Sequence, residues 1–220
     1  MKILAIETSG NISSVAVVSP DIVLGEFTIN HKKTHSQTIM PMIDNLLTSL
    51  DFKISDMSFI AYSNGPGSFT GLRIGAATAK ALGHGLSRGV KEVPTLDALA
   101  YNLKTEKSLV VPILDARQNQ VYACVYKDNE KLTDYMAIEF DKLLDSLEEK
   151  AIFLGDAVEL YKEKILAKGH DVSNCLQNAG AVGLCAIHLP AKHYAVVDLQ
   201  YVRKPQAQRE YEEKNADKQI

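Results

Sequence analysis

The residues of this chain best suited to chemistry are two acids that end apolar strands, Glu7 after Ile3-Leu4-Ala5-Ile6 and Asp115 after residues 109–114. A polar turn follows each, Thr8-Ser9-Gly10-Asn11 in the first case and Ala116-Arg117-Gln118-Asn119 in the second. They are the best carboxylate pair in the sequence, and capping a hairpin turn is the plainer role for either. A third feature is Asn64-Gly65-Pro66-Gly67-Ser68-Phe69-Thr70-Gly71-Leu72-Arg73-Ile74-Gly75. It reads as a buried strand, Phe59-Ile60-Ala61-Tyr62, turning through glycines into a helix that ends near Gly83 to Gly85. Such a turn permits close backbone approach, and the helix start offers unpaired N–H groups to an anion. The known phosphate loops do not match it. Gly71 is followed by Leu72 and Arg73 rather than Lys and Ser/Thr, and it comes one residue late for a dinucleotide fingerprint.

Nucleophilic and metal chemistry find little support. Gly67-Ser68 lacks the flanks of a nucleophile elbow. Cys124 shares a strand face with Tyr122 and Tyr126 and reads as a packed thiol. The three cysteines, Cys124, Cys175 and Cys185, lack ligand spacing and are expected to be reduced, as in a cytoplasmic protein. His31 and His35 bracket Lys32 and Lys33 at a strand-to-helix junction, where cationic neighbours disfavour a divalent ion. Pro190 prevents a helix from aligning His188 with His193. His84 and His170 are expected to be solvated.

The elements that must position these residues form two similar sets. In each, an apolar strand ends at an acid, a polar turn and a second strand follow, and later a strand runs through glycine into a helix; Ala151-Ile152-Phe153-Leu154-Gly155-Asp156 is the second copy of the last part. This suggests a duplicated α/β lobe. At 220 residues, 46% hydrophobic and 23% charged, the chain suits one large domain or two small lobes. A net charge of −3 without a basic block argues against an independent grip on nucleic acid. No run is long enough for a membrane span, and the apolar start is too brief for a signal peptide.

Between the two parts of the first set lies an amphipathic helix, residues 38–50. Ile39, Met42, Ile43, Leu46, Leu47 and Leu50 share one face, opposite Asp44, Asn45, Thr48 and Ser49. Pro41 is expected in its first turn, with Ser36 or Thr34 as the cap. The glycine helix, residues 69–86, carries a ridge almost without side chains: Gly67, Gly71, Gly75, Ala79 and Gly83. Each interior glycine costs about 1 kcal/mol of helix propensity, so close approach of another element must offset it. The polar stripe, Arg73, Lys80 and His84, is narrow, so the helix needs cover on two sides. Its own sheet is one cover; the other is the 38–50 helix, a second chain, or both. If the ridge instead faces its own sheet, large substitutions there unfold the lobe.

Ile3-Leu4-Ala5-Ile6-Glu7-Thr8-Ser9, His35-Ser36, the block from Asn64 to Gly75, Asp115-Ala116-Arg117 and Tyr201-Val202-Arg203 together resemble the TsaB family, from Lys2 to about Glu210. These are the non-catalytic partner subunits of the bacterial tRNA threonylcarbamoyladenosine machinery. The resemblance implies an α/β, duplicated two-lobe actin/Hsp70-like nucleotidase (ASKHA) architecture, with lobe I at 1–103 plus a returning segment 195–220 and a shortened lobe II at 104–194. It implies a catalytic paralogue, TsaD, whose metal-binding His-x-x-x-His pair falls here at about Thr95 and Leu99, neither a metal ligand of that kind. Thr95 would then cap the helix that follows it.

In that architecture the hairpin acids face each other across a cleft and hold a metal–nucleotide. Glu7, Thr8, Ser9, Asp115 and Arg117 are therefore expected to line a degenerate nucleotide cleft. No intrinsic cofactor is expected, with ATP/ADP and metal on the partner subunits. The implied partners are TsaD and the ATPase subunit TsaE, with a homodimer when the chain is alone and tRNA only through the complex. The implied role is formation of N6-threonylcarbamoyladenosine at position 37 of tRNAs reading ANN codons. Ile39, Met42, Ile43, Leu46, Leu50, Gly71, Leu72, Ile74, Gly75, Ala79 and Leu82 are the expected partner interface, half of a four-helix contact. The rival readings are an active metal-dependent ATPase, a glycoprotease-like enzyme, or a small-molecule kinase of the same architecture.

Overall fold

The computed structural model describes residues 1–30, 34–103 and 108–203. β1 (Ile3–Glu7) is buried along its whole length, as an apolar strand must be when layers cover both faces of its sheet. It pairs antiparallel with β2 (Ser13–Ser19), which pairs antiparallel with β3 (Ile22–Ile29). On the other side β4 (Phe59–Gly65) and β5 (Val90–Pro94) run parallel to it, giving the order β3-β2-β1-β4-β5. α1 (His35–Ser49) connects β3 to β4, α2 (Phe69–Leu86) connects β4 to β5, and α3 (Thr95–Tyr101) leaves the sheet.

The second set repeats this plan. β6 (Leu109–Asp115) and β7 (Gln120–Ala123) are followed by a small hairpin, β8 (Tyr126–Lys127) and β9 (Glu130–Lys131). β10 (Met136–Glu139), α4 (Phe140–Asp145), β11 (Ala151–Leu154), α5 (Val158–Ala167), β12 (Asp171–Val172) and α6 (Ala179–Ala186) complete it. The sheet path β10-β7-β6-β11-β12 reproduces the first order strand for strand. The copy is reduced: α4 has 6 residues against 15 in α1, and α5 has 10 against 18 in α2.

The helices that follow the two sheets cross between them. α3 sets Leu96 and Leu99 against Val110, Leu114 and Leu154 of the second sheet. α6 returns to the first sheet, where Ala179, Val182 and Ala186 pack on Ile3, Ala5, Ala16 and Val18. Its small residues allow this approach: a Cβ on Gly183 would lie 2.6 Å from a Val18 methyl. The chain thus rejoins the first sheet at Ala179, ahead of the crossing expected near Ala195.

α1 and α2 cover the other face of the first sheet, and most of the residues expected at a partner interface lie in the chain's own core. Ile39, Met42, Ile43, Leu46 and Ala79 form one core with Leu4, Ile6, Val15 and Val17, and Leu72 is fully buried. A Cβ on Gly75 would stand 2.5 Å from Thr8 Oγ1, and one on Gly71 would collide with the Thr8 carbonyl. The ridge therefore serves the chain's own sheet, drawing α2 down onto the end of β1. Leu50 and Leu82 are half-buried against the same core, and Ile74 is half-buried on α2. A single amphipathic stripe must be spent on the sheet it covers, so it is not free for a partner. The outward side of α2 carries Arg73, Ala77, Lys80, Ala81, His84 and Gly85 instead, and on α1 Met40 and Asp44 are exposed. α1 begins at His35, so Pro41 falls beyond its first turn, and no side chain caps it at Thr34.

Candidate functional site

The two strand-end acids reach different environments. Glu7 is 1% exposed; its Oε1 accepts from the Ser9 N–H at 2.5 Å and its Oε2 from the Ser63 hydroxyl. Burial pushes its pKa up, the Ser63 and Ser9 donors pull it back, and repulsion from Asp156 adds to the rise. It fastens the β1–β2 turn to the end of β4. Around it the turn is sewn to α2: Thr8 Oγ1 donates to the Gly71 carbonyl at 2.8 Å, and the Ser68 N–H donates to the Ser9 carbonyl at 2.6 Å. Gly67 is needed for that approach, since a Cβ there would sit 2.9 Å from Ser9 Cβ.

Asp115, by contrast, is exposed. Its Oδ1 accepts from the Arg117 N–H at 2.7 Å, and its own N–H donates to Asp156 Oδ1 at 3.0 Å. The turn beyond it places Arg117, Gln118 and Asn119 in the left-handed region, at φ of 63°, 53° and 58°. Asp156 is half-buried, its Oδ2 accepting from Gln177 Nε2 at 3.0 Å; burial raises its pKa. The cleft acids are thus Asp115 and Asp156, while Glu7 is sealed beneath the wall. Asp156 was missed as a site residue. Its signal was the repeat: Gly155-Asp156 stands in the second copy where Gly65-Pro66-Gly67 stands in the first.

These walls enclose a cleft of about 430 Å³, lined by Ser9, Gly67, Phe69, Asp115, Asp156 and Arg203 among others. Of the expected cleft residues it brings together Ser9, Asp115 and Arg117, and leaves Glu7 and Thr8 behind. The chain from Asp198 to Arg203 crosses its mouth. Tyr62 OH donates to the Asp198 carbonyl at 2.6 Å and the Gln200 N–H to the Asn64 carbonyl at 2.7 Å. Tyr201 lies against Phe69 with centroids 5.5 Å apart, and the Arg73 guanidinium sits 3.8 Å over Phe69. Arg203 reaches the far side, donating to the Ala116 carbonyl and to Gln118 Oε1 at 3.4 Å each. The cleft therefore holds a half-buried acid beside an exposed one, with arginines at the rim.

Thr95 and Leu99 are both buried on α3. Thr95 does not cap the helix: Pro94 precedes the first turn, and the Thr95 hydroxyl has no partner among the described residues. His35 spends both ring nitrogens inside the chain, Nδ1 on Ser13 Oγ at 2.6 Å and Nε2 on the Gly10 carbonyl at 2.9 Å. His31 lies outside the described residues. His170, expected in solvent, is buried; its Nδ1 accepts from the Ala151 N–H at 3.2 Å and its ring meets Phe153 edge-on. Cys124 is buried, donates to the Thr133 carbonyl at 3.1 Å, and has its pKa pushed up by burial. Among the described residues no group of three or more His, Cys, Asp or Glu side chains is placed to hold a metal ion, and no helix is long and apolar enough to cross a membrane.

A family model described as TsaD, tRNA N6-adenosine threonylcarbamoyltransferase, matches residues 22–213. The Bacillus subtilis tRNA threonylcarbamoyladenosine biosynthesis protein TsaB is 34% identical over 200 residues, covering 86% of this chain and 83% of that protein. The Escherichia coli protein of the same name is 36% identical over 132 residues, covering 59% of this chain and 57% of that one. Among solved structures, YeaZ from Pseudomonas aeruginosa aligns with a TM-score of 0.77 at 22% identity, over 91% of this chain and 99% of its own. Component A of the Acidaminococcus fermentans (R)-2-hydroxyglutaryl-CoA dehydratase aligns at 0.53 with 10% identity, over 84% and 97%. At these identities the structures share the fold.

Proposed function

The chain belongs to the TsaB family of tRNA threonylcarbamoyladenosine biosynthesis, and on that premise we propose that it acts there as a non-catalytic subunit that binds and organises a TsaD-type catalytic paralogue. Its architecture is the two-lobed ASKHA fold. The observation that carries the reading is the outer side of α2. Ala77, Ala81 and Gly85 recur at four-residue spacing, all exposed, and among the described residues nothing lies within 4 Å of a Cβ built on Gly85. A helix of another chain can come close along such a ridge. Thr95 and Leu99, standing where the paralogue's metal ligands are expected, support the absence of catalysis, as does the internal bonding of Glu7. In this reading TsaE joins the full complex, ATP/ADP and metal reside on the partner subunits, and tRNA is met only through the assembly. The product is N6-threonylcarbamoyladenosine at position 37 of ANN-reading tRNAs, the compartment is the cytoplasm, and the free chain forms a homodimer through the same ridge.

Co-purification with the catalytic paralogue tests this. Ala77→Arg and Ala81→Arg are expected to leave folding intact, because both sites are exposed, and to abolish capture of the paralogue and self-association. Undiminished capture by both folded variants sinks the reading. A second reading, an active ATPase of the same fold, is favoured by Asp115 and Asp156 standing together in the cleft. ATP turnover by the isolated chain that disappears in Asp115→Ala and Asp156→Asn would establish it; we expect no such turnover.

A further inference from the structure

A second cavity, of about 220 Å³, shares no lining residue with the inter-lobe cleft. Its walls come from α3, the C-terminal half of α6, β6 and the β8–β9 hairpin, so it sits where both crossing helices meet the second lobe. The walls are largely apolar, with Ala100, Leu103, Val110 and Cys185 among them. Two opposite charges stand on them. Asp97 Oδ1 accepts from Tyr126 OH at 2.5 Å and from Tyr135 OH at 2.7 Å, which holds the carboxylate in place and leaves capacity on its other oxygen. Lys131 lies 4.2 Å over the Tyr135 ring. Among the described residues neither Asp97 nor Lys131 belongs to an ion pair, so the cavity presents a carboxylate and an ammonium held apart.

We propose that this cavity binds a small zwitterion, a free α-amino acid with a short aliphatic side chain, its ammonium on Asp97 and its carboxylate toward Lys131. A simple amine would meet Lys131 and a simple carboxylate would meet Asp97, each adding an unbalanced charge to a mostly apolar space. The volume suits a few heavy atoms beyond the charged groups and is below the range of sites for larger ligands. The occupant would touch α3, α6 and the hairpin together, and so stiffen the joint between the two sheets.

Thermal unfolding of the full chain tests the proposal. Alanine, valine and leucine are compared with butylamine and butyrate at equal concentration. A ligand about tenfold above its Kd raises Tm by about 3–5 °C in a protein of this size. We expect that rise from at least one amino acid, from neither single-charge compound, and from nothing in Asp97→Asn or Lys131→Gln. Lys131 is exposed, so its replacement leaves folding intact, and the amide introduced by Asp97→Asn keeps an oxygen for the two tyrosines. No rise with any amino acid overturns the proposal. So does an equal rise from butylamine or butyrate, or a rise that persists in both variants.

Discussion

Glu7 and Asp115 end equivalent strands, yet one is sealed and the other open, and burial is the largest influence on the sealed one. The Glu7 carboxyl holds its proton to higher pH in the folded chain than in the unfolded one. The folded state therefore binds more protons above the ordinary carboxylate pKa, and stability falls as pH rises from 4.5 through the raised folded value. Asp156 adds a change of the same sign. Glu7→Gln keeps an acceptor for the Ser9 N–H and lets the Ser63 hydroxyl turn to accept, so the variant is expected to fold with a flatter Tm-versus-pH curve. Melts from pH 4.5 to 7.5 decide it; parallel curves for wild type and variant would mean that Glu7 does not titrate differently on folding. The acids were legible in the sequence as strand ends, but their burial was not, because it depends on Ser63, 56 residues away. Asp156 was legible only through the repeat.

At the scale of elements, α1 and the apolar strands β1, β4, β6 and β11 were readable because their apolar spacing has one physical meaning, a stripe or a strand face that needs cover, while β5, β10 and β12 were not read. The ridge of α2 was readable only as a demand for close approach. Residues that lack side chains do not say whether a sheet or a foreign helix approaches, and α2 has two such rows, Gly71-Gly75-Ala79 facing inward and Ala77-Ala81-Gly85 facing outward. The two rows should respond oppositely. Gly75→Leu must displace Thr8 and is expected to cost at least about 1–3 kcal/mol by overpacking. Gly85→Ala meets nothing among the described residues and removes a helical glycine, so a gain of up to about 1 kcal/mol is expected. Urea melts of both variants check the pair; a Gly75→Leu chain as stable as wild type would show that the inward row is not packed as described.

For the whole molecule, the joint between the lobes depends on how α6 is held, since it belongs to the second copy by sequence and to the first sheet by packing. Both its ends are gripped by charges from that sheet. Glu26 Oε1 accepts from the Ala179 N–H at 3.0 Å, the Gly180 N–H at 3.3 Å and the Ser14 hydroxyl at 2.7 Å, setting a carboxylate at the positive end of the helix. At the other end Lys91, 4% exposed, donates from Nζ to the Ala186 carbonyl at 2.8 Å and the Ile187 carbonyl at 3.2 Å. The two grips should not be equal. Removing Glu26 leaves the Gly180 N–H without its acceptor, while the Ala179 N–H keeps the Ser14 hydroxyl at 3.1 Å, and the loss is about 1–3 kcal/mol. Removing the Lys91 charge relieves the burial that lowers its pKa, which offsets the lost hydrogen bonds. Glu26→Ala is therefore expected to lower stability by that amount and to speed hydrogen exchange of the α6 amides, while Lys91→Met stays near wild type in stability. If α6 amides exchange at the wild-type rate in Glu26→Ala, the helix is held by its alanines and Val182 against β1 and β2 alone, and the lobes are joined by packing rather than by charge.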